Sequence, residues 1–318
     1  MIKTDVLVIG GGPAGAACAR RLIQNQVSCI VLDRSEFPRF KPCAGWVTPQ
    51  VLKSVEMDGN SYPFGLTEFT SFDVFINGLR FKLPTHQYSI RRFEFDHWLL
   101  QTSAAEFHLH DVQDIRLEKD EYVVDDEFSA RYLVGAGGTH CPVYTTFFSK
   151  ASPKAHGSLI VAQEEEFQFN VKDTRCKLWF FENHLPGYAW YVPKKDGYVN
   201  VGMGGFMEQL KRRSDTLKDH WNLLVRRLEE TGLIWNHAFK PDGHSYYLRQ
   251  NLPEIQIGNA FLVGDALGLA TLDMGEGIGP AIKSGQLAAD AIINGGTYSV
   301  ASIPRYSFPS LLGLRKGG

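Results

Sequence analysis

The feature that most restricts how this chain can fold is Gly10-Gly11-Gly12-Pro13-Ala14-Gly15, set between the apolar run TDVLVIG and the helix-like AACARRLIQNQ. A second apolar run, SCIVLD, follows, so the order is strand, tight turn, helix, strand: a βαβ unit opening a parallel sheet. Gly10, Gly12 and Gly15 fit GxGxxG. The first glycine permits the sharp turn, the second lets backbone approach a pyrophosphate, and the third lets the helix pack closely on the strand. N–H groups at the helix start then face the phosphates, with Pro13 and Ala14 in the same turn. Asp33 ends the second strand eighteen positions after Gly15. That spacing suits a carboxylate on the adenosine ribose hydroxyls. The alternative is a glycine turn of purely structural use.

Dinucleotide binding alone does not separate NAD from FAD. The late segment FLVGDALGLATLDMGEGIGPAIKSGQLAADAI carries the distinction. Gly264-Asp265 closes a buried strand, and Gly275-Glu276-Gly277 opens an amphipathic helix at Ile278. A long flavin cofactor uses both: a carboxylate at mid-molecule for the ribityl hydroxyls, and a helix N-terminus near the ring. The latter stabilises negative charge on reduced flavin by roughly 0.3–2 kcal/mol. For Asp265, a helix cap is the competing reading.

Between these two hinges the pattern changes to antiparallel strands. EFTSFDVFINGLRFKL reads as two alternating strands joined by Asn77-Gly78, a type I′ hairpin signal. Arg91–Glu106 carries helical spacing, a meander turns at Lys119-Asp120, and KLWFF, GYAWYVP and GYVNVGMGG read as strands. A long charged helix fits Met207–Thr231. The expected architecture is α/β: a Rossmann-like FAD-binding domain with a parallel sheet (1–64, 91–145 and 250–318), interrupted by an antiparallel-sheet substrate domain (65–90 and 146–249). The tail after Gly295 reads as irregular and weakly basic at Arg305, Arg315 and Lys316.

A net charge of −2 gives no global attraction to nucleic acid or an anionic membrane. No apolar run reaches the roughly 18–20 residues of a membrane span, and a strand begins too early to leave room for a signal peptide. The five cysteines have no metal-like spacing, so no metal site is expected, and free thiols in a reducing, cytoplasmic setting are.

Five separated motifs now resemble the geranylgeranyl reductase family of FAD-dependent oxidoreductases, within the p-hydroxybenzoate hydroxylase-like fold that also includes flavin halogenases. They are GGGPAG with Asp33-Arg34; KPCAG; Arg92-x-x-Phe95-Asp96; Tyr188-Ala-Trp190-Tyr-Val192-Pro193 followed by Gly202-Met203-Gly204; and GDALGLATLDMGEGI. The likeness runs from residue 4 to about 294. The fourth motif is similar to YxWxFP-x(7–8)-GxG, with valine in place of the usual phenylalanine. The resemblance implies that Ala14 and its glycines contact the pyrophosphate and that Asp33, beside Arg34, takes the ribose. It implies Cys43, Ala44 and Gly45 at the flavin, and Arg92 near the phosphates or ribityl chain. It further implies the Val112 backbone at the adenine, Asp265 on the ribityl chain, and Gly277 and Ile278 at the isoalloxazine. Arg92 as a solvated helix-start charge and Val112 as core residue are the plain alternatives.

Two departures from the family stand out. An Asp-Gly pair usually follows the strand read here as RYLVGAGG, whereas this chain has Gly137-Gly138, removing any contact that aspartate makes. Relatives also continue well beyond the last motif helix, which implies a more open cavity, a different substrate, or a wall supplied by another subunit.

The expected activity is reduction of C=C bonds in an apolar, isoprenoid-like small molecule or lipid, with peripheral membrane contact when the substrate is a lipid. NAD(P)H or reduced ferredoxin would be a transient electron donor, since one dinucleotide fingerprint is visible. A thiol is mostly protonated near neutral pH, so Cys43 is a candidate local acid, with packing beside the cofactor as its alternative. Tyr188 is a rival proton donor. Tyr188 and Trp190 share one strand face and are expected to floor the pocket. Phe69, Phe72, Trp179, Phe180 and Phe181 are further candidates of undetermined face. Two other classes stay open: a monooxygenase or halogenase acting through a C4a-peroxyflavin, and a non-catalytic flavoprotein that exchanges electrons with a partner.

Overall fold

The computed structural model describes residues 1–308, and the part of the expected tail from 309 onward, with Arg315 and Lys316, lies outside them. The described chain divides into two compact units: Met1–Arg39, Phe93–Ala155 and Tyr246–Ser307 form the first, and Phe40–Arg92 with His156–Ser245 the second. Cys43–Gly45 and Arg92 thus fall in the second unit. No described helix is long and apolar enough to cross a membrane.

The first unit is built on a mixed sheet whose spine is parallel. Strand Ile2–Ile9 lies between Cys29–Asp33 and Phe128–Gly135, parallel to both, and Glu106–Leu109 and Ala260–Leu262 extend the sheet on either side. Val6, Leu7 and Val8 are fully buried, as a strand covered on both faces requires. The meander is present, with Lys119 and Asp120 at positive φ in its turn. Helix Pro13–Gln24 packs on helix Ile278–Asn294 so closely that a Cβ on Gly285 would lie 2.1 Å from the Ala14 carbonyl oxygen.

The second unit carries an eight-stranded sheet in the order 242–247, 159–168, 198–206, 187–193, 177–180, 67–76, 79–89, 46–47. Asn77 and Gly78 join 67–76 to 79–89 at φ +50° and +80°, as the hairpin reading requires. One sheet face holds Trp179, Ala189, Tyr191, Val201 and Met203, buried beneath Trp221, Leu224 and Leu228 of helix Leu217–Glu230. The single long helix expected over Met207–Thr231 is in fact two, Met207–Arg213 and Leu217–Glu230. Ser214 takes a left-handed conformation at φ +56°, and the Thr216 hydroxyl caps the second helix by accepting the Asp219 N–H. Helical periodicity continues across the break, so the capping pair alone marked it.

Candidate functional site

At the glycine turn, two glycines are required by contact rather than by flexibility alone. Gly10 sits at φ +113° with the Ala136 carbonyl 2.4 Å from where a Cβ would be, and a Cβ on Gly15 would lie 1.9 Å from the Gly10 oxygen. Gly12 differs: the first atom its missing side chain would meet is the Arg39 guanidinium, at 3.5 Å. Gly12 is also the N-cap of helix Pro13–Gln24, and no side chain caps that end. Its first-turn N–H groups therefore need an outside acceptor. Asp33 accepts the Gly11 N–H at 2.7 Å and the Ser35 N–H at 2.9 Å, which pins the turn to the end of the second strand. A carboxylate retains lone pairs beyond these two bonds.

Arg39 is a residue the sequence reading missed. Its guanidinium lies over the Phe37 ring at 4.8 Å and 3.6 Å from the Asp96 carboxylate, which is fully buried. Asp96 belongs to the Arg92-x-x-Phe95-Asp96 motif, so that motif supplies the counter-ion orienting a cation above the glycine turn. The signal was present in DRSEFPRFKP, but nothing local said which of its two arginines turns toward Gly12.

The second hinge folds onto the first. A Cβ on Gly264 would stand 3.0 Å from the Ala14 Cβ, and one on Gly277 would stand 3.5 Å from the Asp265 carboxylate. Asp265 thus lies beside the start of helix Ile278–Asn294, whose N-cap, Gly277, again has no side-chain cap. Gly275 takes φ +64° with the Tyr246 hydroxyl beside it. Lys154, also absent from the sequence reading, places its ammonium 4.0 Å from the Tyr144 ring centroid and 5.0 Å from that of Tyr247. Burial pushes it down to about 8, against the Cys141 thiol and the Asp265 carboxylate. Gly137 caps a short turn at Gly138–His140, and Gly138 is at φ +73°. Val112 is a half-buried loop residue, and Arg34 is exposed. Two uncapped glycine-headed helices, a strand-end carboxylate at each hinge and a cation over the first turn match the donor and acceptor needs of an adenine dinucleotide carrying a polyol chain.

In the second unit, the Cys43–Gly45 segment is held from below by buried polar groups. Lys194, whose side chain is fully buried, donates to the carbonyls of Ala44 at 3.0 Å and Ile90 at 2.6 Å, and pairs with Glu166 at 3.2 Å. Asn200 donates to the Cys43 carbonyl at 3.5 Å. Gly45 takes φ +76°, and a Cβ there would meet the Ile90 oxygen at 2.2 Å. Cys43 is the one cysteine of five that is not buried, and its sulfur accepts the Gly45 N–H at 3.3 Å. Arg92 lies in the electrostatic range of His244, as does Lys41; burial first, then those two cations, push His244 down to about 3.

Tyr188 and Trp190 share the sheet face opposite the helix-covered core. Strand register places Phe180 across from Tyr188 and Leu178 across from Trp190. Tyr188 stacks on Phe180 at 5.0 Å and on Trp46 at 6.5 Å, and Trp46 continues to Phe72 at 5.7 Å and Phe72 to Phe69 at 5.7 Å. Trp179 belongs to the other face, stacked on Phe75, and Phe181 is exposed. The GxG glycines explain the aromatic motif. A Cβ on Gly202 would fall 2.4 Å from the Trp190 ring and 2.6 Å from the Glu164 Cβ, so glycine there gives the indole room to lie across the strand. The Trp190 N–H donates to Asn200 at 2.6 Å.

Glu164, 1% exposed, is pushed up to about 7 by burial, against Lys194, Asn200 and Lys41. A carboxyl raised in the folded state holds its proton where the unfolded chain has released it. Stability therefore falls as pH rises from about 4.5 to about 7, by up to about 3 kcal/mol. Urea unfolding of the natural chain and of Glu164→Gln across this window is the measurement: the stability difference between them is expected to shift progressively in favour of the variant as pH rises. A difference independent of pH would refute the shift.

Comparison with known proteins adds the following. Residues 3–61 match the family model described as FAD binding domain. The chain is 30% identical to an uncharacterised protein of Methanosarcina barkeri, over 92% of this chain and 75% of that one. It is 25% identical to digeranylgeranylglycerophospholipid reductase 2 of Methanosphaera stadtmanae, over 96% and 82%. Among solved structures, a geranylgeranyl bacteriochlorophyll reductase-like protein of Thermoplasma acidophilum superposes with TM-score 0.80 at 21% identity, over 92% and 79%. The flavin-dependent brominase Bmp2 superposes with TM-score 0.71 at 19% identity, over 95% and 81%. These two structures share the fold.

Proposed function

Because the chain belongs to the geranylgeranyl reductase family of FAD-dependent oxidoreductases, we propose that it reduces C=C bonds of an apolar, isoprenoid-like lipid. The observation that carries this reading is the aromatic face of Trp46, Phe72, Phe180, Tyr188 and Trp190, apolar over its extent yet edged by a phenol. Bound FAD supplies the hydride.

The rest of the work falls to the chain's own residues. Gly10, Gly12, Pro13, Ala14 and Gly15 hold the pyrophosphate, joined by Arg39, and Asp33 takes the ribose, with Arg34 beside it. Arg92 serves the phosphates or ribityl chain and Val112 the adenine. Gly264 and Asp265 hold the ribityl chain, and Gly275, Gly277 and Ile278 the ring end. Cys43, Ala44 and Gly45 border the flavin, and the aromatic face excludes water from the alkene. The second carbon of the alkene needs a proton from a positioned acid. The Cys43 thiol and the Tyr188 phenol are the two donors in this assignment. NAD(P)H or reduced ferredoxin restores the reducing equivalents.

The test begins with the visible spectrum of the purified chain, where a flavin band near roughly 450 nm is expected. Chemically reduced, anaerobic protein is then given a geranylgeranyl ether lipid and the product is weighed by mass spectrometry. Saturation adds about two hydrogen masses per double bond, and Cys43→Ala or Tyr188→Phe, whichever removes the donor, should abolish it while FAD stays bound. Oxygenated or halogenated product in air, with no saturation under anaerobic conditions, would instead assign the site to monooxygenation or halogenation, the chemistry of neighbours such as the brominase.

A further inference from the structure

Strands Thr67–Ile76 and Leu79–Ser89 form a ribbon whose two faces differ in kind. Register sets Phe72 across from Leu83, Val74 from Phe81 and Ile76 from Leu79, so all six lie on one face. Strand Lys177–Phe180 continues that face, with Leu178 beside Val74 and Phe180 beside Ile76. Phe180 and Leu178 in turn stand across from Tyr188 and Trp190, so the aromatic face and the ribbon face are one surface. Along the ribbon its cover runs out. Phe72 and Val74 are buried, whereas Ile76, Leu79 and Phe81 are 37%, 65% and 50% exposed. Phe181, also exposed, follows Phe180 in a left-handed conformation, with the two ring centroids 6.0 Å apart. Single exposed apolar side chains are ordinary, but four gathered at one ribbon end mark a surface of use.

The opposite face of the same ribbon is cationic. Lys82 stands across from Asp73, and Arg80 and Arg175 both pair with that carboxylate, at 3.0 and 3.5 Å. Lys177 joins them at 3.4 Å, and Asp173 takes Arg175 and Lys177 as well. Four cations thus gather about two carboxylates, with Arg80, Lys82 and Arg175 at exposed positions. Among the described residues, the outer edge of Leu79–Ser89 is paired only at Tyr88 and Ser89, by Val47 and Trp46. A partner strand is poorly matched to the open part. Pro84 removes a donor from it, and Arg80 and Lys82 put charge along it.

We propose that the 76–81 turn, with Phe181, is the lip by which this chain enters an anionic lipid bilayer, and that the apolar ribbon face leads a lipid tail from there to Tyr188 and Trp190. Leu79, Phe81 and Phe181 bury among the outermost acyl carbons, while Arg80 and Lys82 reach headgroup phosphates on flexible stems. Insertion is shallow, because the open edge and the Asn77-Gly78 turn carry backbone polar groups that hydrocarbon cannot satisfy. The overall charge of −2 does not oppose it, since the attraction is local to the four cations and fades over about 8 Å.

This inference deepens the proposed function and rests on its apolar-lipid reading, but its test needs neither flavin nor turnover. The full chain is sedimented with vesicles of phosphatidylcholine, with and without phosphatidylglycerol. The natural chain is expected to bind the mixed vesicles, and phosphatidylcholine alone at least about 10-fold more weakly. Leu79→Ser combined with Phe81→Ser should weaken binding to the mixed vesicles at least about 10-fold, with the melting temperature held because both side chains are exposed. Lys82→Glu should cost about 10-fold on the mixed vesicles and nothing on phosphatidylcholine alone. Phe81→Trp reads insertion directly: the added emission should move to the blue with mixed vesicles and be quenched by lipids brominated near the top of the acyl chain. A natural chain that stays in solution overturns the proposal, as does binding that the double serine variant retains, or Phe81→Trp emission that vesicles leave unchanged. A dimer that the double variant takes apart, with no vesicle binding by the natural chain, overturns it too and gives the face to a second copy. The two readings fail separately. A chain that binds vesicles through this lip but saturates no lipid refutes the reductase and keeps the lip; one that saturates detergent-dispersed lipid yet ignores vesicles does the reverse.

Discussion

Gly15→Ala is expected to yield a colourless protein whose FAD affinity is lowered at least about 100-fold. In an ordinary helix interior the same change would stabilise by about 1 kcal/mol, because alanine loses less conformational freedom than glycine. Here the added Cβ would stand 1.9 Å from the Gly10 carbonyl oxygen and crowd the Val8 side chain at 3.1 Å. Neither can yield cheaply: Val8 is fully buried in the central strand, and the Gly10 N–H is tied to the Leu32 carbonyl at 2.7 Å. The helix must therefore lift from the strand, carrying its first-turn N–H groups away from the place where they converge. Overpacking of this kind costs about 1–3 kcal/mol or more, and each 1.4 kcal/mol or so taken from binding is tenfold. Titrating apoprotein with FAD and following flavin fluorescence measures it. Unchanged affinity would mean that the glycine turn is not the phosphate cradle.

Lys194→Met should lower the melting temperature by roughly 6–20 °C. The lysine is held by two main-chain carbonyls and a carboxylate, with no exposed side-chain surface. Methionine keeps most of the apolar stem but leaves the Ala44 and Ile90 carbonyls unpaired and leaves Glu166 only Arg91. Removing one partner from a buried charged cluster costs about 3–5 kcal/mol, and about 2–4 °C of melting temperature follows each kcal/mol in a chain of this size class. Lys194→Arg should not rescue, since a Cβ on Gly45 would already lie 2.5 Å from the ammonium and a guanidinium has no room. Calorimetry on the three proteins decides the matter. A shift of a degree or two would show that the Cys43–Gly45 segment is held by something else.

Much of the fold was legible because its signals are local. The βαβ opening, the Asn77-Gly78 and Lys119-Asp120 turns, and the strands around Tyr188 and Trp190 each follow from a few adjacent residues and the conformations they permit. The helix break at Ser214 was local too, yet it was hidden, because apolar spacing carries through the interruption and a short polar run reads equally well as a solvated helical face.

The polar groups around Cys43 were not legible in the same way. Lys194 reaches Ala44 across 150 positions and Asn200 reaches Cys43 across 157. In sequence, Glu164, Glu165 and Glu166 are equivalent charges. Strand alternation separates Glu165, and only register distinguishes the other two, putting cations against Glu166 and an enclosing Trp190 and Gly202 against Glu164. The same applies to Arg39, which became a candidate phosphate ligand only when the buried Asp96 appeared beside it.

By itself, then, the amino-acid order determined where the backbone must turn tightly and which side chains alternate across a strand, since steric limits on φ and ψ act between neighbours in the chain. Only the tertiary structure decided which of several like-charged or aromatic residues face one another, because that depends on how distant strands align. A shift of one residue in any pairing would have sent Trp179 to the aromatic face in place of Phe180, and Glu165 beneath Cys43 in place of Glu164.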